Sequence, residues 1–141
     1  MLIFKTTAEL KKEQSKTNIS HTFTVPGNVT ALEVDYSYTP KTVQDGEDSV
    51  KEALARYGEG NESPSDFMPV SNLLTLSFDD PEGYRGACHR QANTQKVIIG
   101  ENSTPGIFNR KIKSGKWRVT LNAHYIGCSV NYELIIKGVE Q

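Results

Sequence analysis

The stretch Lys116-Trp-Arg-Val-Thr-Leu-Asn-Ala-His-Tyr125 decides the fold. Trp117, Val119, Leu121, Ala123 and Tyr125 alternate with Arg118, Thr120, Asn122 and His124. Side chains on a strand point to opposite faces in turn, so this spacing puts one apolar and one polar face on a single strand. Around a helix of period 3.6 the same residues would scatter and leave no apolar stripe.

The same period recurs on both sides of that stretch. In Thr30–Tyr38, Leu32, Val34, Tyr36 and Tyr38 share a face opposite Ala31, Glu33, Asp35 and Ser37. Val130–Ile136 turns Val130, Tyr132, Leu134 and Ile136 inward, and Ile19–Val25 does so with Ile19, His21, Phe23 and Val25. Leu73–Asp79 and Lys96–Gly100 are more continuously apolar, which predicts strands near the middle of a sheet. Leu2–Leu10 reads as an N-terminal edge strand and Lys11–Lys16 as a charged connection, so residues 1–18 flank the main body. Pro26-Gly27-Asn28, Asp80-Pro81-Glu82-Gly83, Thr104-Pro105-Gly106 and Ser114-Gly115 supply turn chemistry between these runs. The last pair suits a tight hairpin or a hooked entry into the Trp117 strand. Short strands with such punctuation predict an all-β, mainly antiparallel fold, a jelly-roll-like β-sandwich, as a single domain over residues 1–141.

One segment has a different period. Glu47–Tyr57 spaces Val50, Ala53, Leu54 and Tyr57 at i, i+3, i+4 and i+7, an apolar helical stripe. Asp45, Glu47 and Asp48 stand where the helix dipole favours negative charge, and Gly58 is a natural stop. Residues 44–66 are therefore expected as a helix-and-loop insertion capping one end of the sandwich.

The totals exclude several classes. A chain of 141 residues is long enough for one cored domain. Sixteen Lys and Arg against seventeen Asp and Glu give a net charge of -1, which argues against a nucleic-acid or anionic-membrane partner. No apolar run approaches the roughly 18 residues of a membrane span. Met1–Phe4 is interrupted by Lys5, so it lacks the apolar core of a signal peptide. The two cysteines, Cys88 and Cys128, make no disulfide framework; buried thiols in a reducing, cytoplasmic setting are the expectation.

Chemistry concentrates in Asp79–Arg90, read as a loop after a strand. Asp79, Asp80, Tyr84, Arg85, His89 and Arg90 are the candidate ligand-binding residues. Arg85 and Arg90 carry the planar donor fork that suits a carboxylate, a phosphate or sugar hydroxyls. The competing structural reading has Asp79, Asp80 and Arg85 pairing among themselves to fix a long turn. Tyr36, Tyr38, Tyr57, Tyr84, Trp117, Tyr125 and Tyr132 would suffice for a sugar-stacking platform, but most fall on inward positions; Tyr84 is the one expected to be exposed. His21, His89 and His124 lack metal-ligand spacing, so neither a metal nor another cofactor is expected. No nucleophile elbow, phosphate loop or dinucleotide fingerprint is present, and no catalytic residue is assigned.

His21-Thr-Phe-Thr-Val-Pro26, Asn72-Leu-Leu-Thr-Leu76, Asp80-Pro-Glu-Gly-Tyr-Arg-Gly86 with His89-Arg90, Thr104-Pro-Gly106 and Ser114-Gly-Lys-Trp-Arg-Val119 occur in that order. Together, over about residues 19–138, they resemble the N-terminal β-sandwich that precedes the metal-dependent phosphoesterase domain of bacterial PHP-type (polymerase and histidinol phosphatase) proteins. The resemblance implies a non-catalytic accessory domain whose partner is a PHP-type hydrolase domain or a second copy. The metal ligands would lie in that hydrolase domain. The alternative is a module that binds a small polar ligand or glycan through residues 79–90.

Overall fold

The computed structural model describes residues 1–43, 46–89 and 92–140. Its strands are β1 (Leu2–Leu10), β2 (Thr17–Val25), β3 (Val29–Thr39), β4 (Leu73–Asp80), β5 (Gly83–Cys88), β6 (Thr94–Ile99), β7 (Gly115–Tyr125) and β8 (Val130–Glu140). They form two four-stranded antiparallel sheets, ordered β1-β8-β3-β6 and β2-β7-β4-β5. This is the all-β sandwich that the alternation predicts. β1 pairs with β8, β2 with β7, β3 with β6 and β4 with β5, so the chain folds about its middle like one long hairpin.

The core is the set of inward residues from both sheets. Leu32 and Val34 of β3 and Leu134 and Ile136 of β8 face Leu76 and Phe78 of β4 and Val119 and Leu121 of β7, all essentially out of solvent. Each such side chain contributes about 1.5–3 kcal/mol relative to exposure. Tyr36 and Tyr38 also cross the gap between the sheets. Their hydroxyls donate to the carbonyls of Leu74 and Asn72 at 3.2 Å each. Burial, then the neighbouring Tyr38 and Tyr132, pushes the Tyr36 phenol well above its ordinary pKa.

β1 is the edge strand expected from residues 2–10. β6, expected near the middle of a sheet, is instead an edge. Its apolar Val97 and Ile99 face the core, and Thr104 folds back on its free side, accepting from the Ile98 amide through Oγ1 and donating its own amide to the Ile98 carbonyl, both at 2.9 Å. The edge is thereby covered.

Helix α1 (Gly46–Tyr57) stands between β3 and β4 as expected, though Asp45 lies outside the described residues. Its apolar stripe is not spent on the sandwich. Val50 is buried and Leu54 half-buried, but Ala53 is exposed and Tyr57 is 83% exposed. The helix packs chiefly on a 3-10 turn, Pro64–Phe67. Among the described residues no helix is long and apolar enough to cross a membrane.

Candidate binding site

The stretch read as the loop Asp79–Arg90 is a β-hairpin. Asp80 pairs with Gly83 across Pro81-Glu82, and the Asp80 carboxylate accepts the Glu82 amide at 2.7 Å. Proline presets the first turn position and Gly83, at φ +123°, takes a conformation that a side chain would resist. The register then slips between Phe78 and Asp79, so that Asp79 faces Tyr84 while Phe78 faces Gly86. Arg85 is the extra residue of this bulge, and such irregularities re-aim side chains.

Arg85 is therefore aimed into the sandwich, where it is completely buried. Nη1 donates to Asp80 Oδ2 at 3.1 Å. Nε donates to the Phe108 carbonyl at 3.1 Å, and Nη2 to the carbonyls of Arg110 at 2.6 Å and Gly100 at 3.4 Å. The guanidinium carbon lies 5.5 Å from the centroid of the buried Trp117 ring. One cation thus ties the 100–111 segment to the sheet and is satisfied entirely from within. Asp80 has a second cation, Arg110, at 3.9 Å. The Asp80–Arg85 pair is the turn-fixing contact of the structural reading, and it leaves Arg85 no group to offer a ligand.

The other candidates separate by face. Asp79 points outward and pairs with Arg118 of β7 at 3.3 Å rather than with Arg85. Tyr84 is 57% exposed, as expected. Its ring meets Phe108 edge-on at 6.2 Å, and the Arg110 guanidinium covers Phe108 at 5.4 Å. Phe108 and Arg110 carried no signal in sequence, since long-range contacts of Arg85 and of the β5 backbone bring their loop to the hairpin. His89 is exposed beyond the end of β5. Arg90 lies outside the described residues. A cleft of about 570 Å³ opens beside the hairpin, lined by Thr22, Asp79, Glu82, Lys116 and Arg118 among others.

The histidines do not converge. His21 faces inward on β2, where Nε2 lies 2.9 Å from the Tyr132 hydroxyl and burial lowers its pKa. His124 is exposed on the opposite face of the same sheet, its Nε2 2.8 Å from Thr75 Oγ1. Among the described residues no group of three or more His, Cys, Asp or Glu is placed to hold a metal. Cys88 is buried and Cys128 half-buried, with no disulfide between them.

No family model and no curated protein matches the chain. Among solved structures, the crystal structure of a protein from Sulfurospirillum deleyianum is similar at 8% identity with a TM-score of 0.35, over 95% of this chain and 98% of that one.

Proposed function

We propose that the chain is a non-catalytic accessory domain, a jelly-roll sandwich that packs through its α1 end against a PHP-type hydrolase domain. The observation that carries this reading is the unspent apolar surface on α1 and its 3-10 turn. Tyr57, 83% exposed, and Phe67, 50% exposed, line a cleft of about 280 Å³ with Val50, Leu54, Val70 and Tyr125, and Met68, next in sequence to Phe67, is 40% exposed. Contiguous apolar surface of this kind marks an interaction site. The same helix carries the exposed ion pairs Lys51–Glu47 and Arg56–Glu52, so charge lies on the element that bears the apolar stripe, as at the polar rim of an interface. The nested strand pairing supports the jelly-roll reading, because a long hairpin rolled up on itself gives two sheets in this order. On this reading the domain works in the cytoplasm, where Cys88 and Cys128 stay as thiols.

The test is association in trans with a bacterial PHP-type hydrolase domain, followed by sedimentation. Tyr57→Asp combined with Phe67→Ser should weaken the complex at least tenfold while leaving the melting temperature unchanged. Failure of the unaltered chain to associate sinks the hydrolase partner. A self-association that the same double variant abolishes reassigns the patch to a second copy.

A further inference from the structure

We propose that the outer face of the β2-β7-β4-β5 sheet, at the end nearest the β4–β5 hairpin, binds a neutral glycan chain. Register fixes which side chains share that face. Thr22, Arg118, Asp79 and Tyr84 stand in one row across all four strands. Behind them, Ser20, Thr120 and Ser77 form a second row that the buried Ala87 ends, and Asn18 and Asn122 a third beside the buried Thr75. With strands about 4.8 Å apart, the first row spans roughly 14 Å.

The chemistry of this face is unlike that of the rest of the chain. Charged residues make up 23% of the sequence, yet the solvent-reaching side chains of the second and third rows, Ser20, Thr120, Ser77, Asn18 and Asn122, are hydroxyls and amides alone. Sugar hydroxyls both donate and accept, and Ser, Thr and Asn are the neutral side chains that do the same. The groups are also ordered in advance. Ser20 Oγ and Thr120 Oγ1 lie 2.9 Å apart, and Asn122 Nδ2 is anchored from below, donating to the Oγ1 of the buried Thr75 at 3.4 Å. A ligand would therefore meet a surface whose rotamers are already restricted, which lowers the entropic cost of binding.

The first row adds the two features a sugar ring needs. Arg118 reaches Asp79 through both Nε and Nη2 at 3.3 Å, and more than half of its side chain stays in solvent, so donors and an acceptor are held together at the cleft. Tyr84 ends the row. Phe108 supports its ring edge-on from one side, which leaves an exposed aromatic surface for the apolar C–H face of a sugar. Charge tells against an anionic ligand: Asp79 and Glu82 line the same cleft as Lys116 and Arg118, and Glu82 is itself 3.2 Å from Lys113. A phosphate or uronate approaching here would meet as many carboxylates as cations. A protein partner would want apolar anchors at the centre of the patch, and here the centre is hydroxyls and amides.

The probe is affinity electrophoresis of the full chain through gels holding a soluble β-glucan, a xylan, a galactomannan, a dextran or polygalacturonate. We expect at least one neutral polysaccharide to retard the protein. Tyr84→Ala and Arg118→Ala should each weaken that retardation at least tenfold, whereas Tyr57→Ala at the other end should leave it unchanged. Both altered side chains are more than half exposed, so melting curves close to those of the unaltered chain are expected to accompany the loss. Ser77→Ala with Thr120→Ala provides a second route, removing hydroxyls from the middle row. Lack of retardation in all four neutral gels overturns the proposal. So does retardation by polygalacturonate alone that 0.5 M salt abolishes (roughly a 4 Å screening length), and so does retardation that survives every one of these substitutions.

Discussion

Arg85 Nη1 donates to Asp80 Oδ2 at 3.1 Å, and neither side chain has more than 1% of its surface in solvent. Charges taken from water in this way are held by the pairing and by the three carbonyls that Nε and Nη2 share. Removing one partner leaves the other buried without its main counter-charge, at a cost of up to about 3–5 kcal/mol. Arg85→Met should therefore lower the melting temperature by about 10 °C or more, taking roughly 3 °C per kcal/mol for a chain of this size. Asp80→Leu should cost less, because the Arg85 carbonyl contacts survive. Equal losses in the two variants would show that the carbonyl contacts add nothing.

The strap that Arg85 holds also meets β5 directly. Gly86 bridges Ile107, Ala87 donates its amide to the Gly106 carbonyl at 3.1 Å, and Phe108 donates to the Arg85 carbonyl at 3.0 Å. Gly86 has φ +138°, and a Cβ there would stand 2.6 Å from the Ile107 Cα. Because backbone cannot step aside as a flexible side chain does, Gly86→Ala should cost at least the 1–3 kcal/mol of overpacking (approximate range). Hydrogen exchange at the Ala87 and Phe108 amides should accelerate before exchange in β7 does. A uniform acceleration across the sheet would mean that the strap is not a separate unit.

These contacts also mark where sequence reading runs out. Alternation is a local property, so the inward sets of β3, β7 and β8 and the antiparallel class could be read from neighbouring residues alone. Arg85 could not. Its inward aim depends on a one-residue slip between Phe78 and Asp79, and its partners come from a segment fifteen to twenty-six residues away. A cation amid glycines therefore looks like a loop residue until the Trp117 ring and the 108–110 carbonyls close over it. Tyr57 fails in the opposite direction: its helical spacing is correct, but spacing cannot tell whether a stripe meets the chain's own core or another surface. The outer positions Arg118, Thr120 and Asn122 were legible as outward-facing. What they form with Ser20, Ser77 and Tyr84 needs the pairing of β2, β7, β4 and β5, which no local pattern contains.

Asn72 supplies a second long-range tie. It is fully buried; Nδ2 donates to the Pro40 carbonyl at 2.9 Å, while Oδ1 accepts the Gly127 amide at 2.8 Å. It thus joins the chain after β3, the start of β4 and the β7–β8 turn. Asn72→Ala should cost about 1–3 kcal/mol for each polar group left without a partner. Asn72→Asp keeps an acceptor for Gly127 but turns a carboxylate toward the Pro40 carbonyl, so it should rescue little. Urea unfolding midpoints measure both. Full rescue by aspartate would mean that the Pro40 contact is dispensable.

His21 gives the fold a pH dependence whose sign follows from its burial. The imidazole sits between Phe4, 5.5 Å away by ring centroids, and Tyr132, and desolvation holds its pKa below the ordinary 6.5. The folded chain therefore binds fewer protons at this site than the unfolded chain does in the window just below 6.5, so stability rises with pH there. The contribution is fully present above 6.5 and is lost as pH falls through the depressed folded value. Tyr36 and Tyr132 act at the other end. Burial raises both phenols above 10.0, so the folded chain retains protons that the unfolded chain gives up, and stability declines as pH rises beyond about 10. Between these limits the urea midpoint should be flat. From pH 7.5 to 5.5, above the ordinary carboxylate range, it should fall in the unaltered chain and fall less in His21→Gln. An equal fall in both would assign the acid sensitivity to groups other than His21.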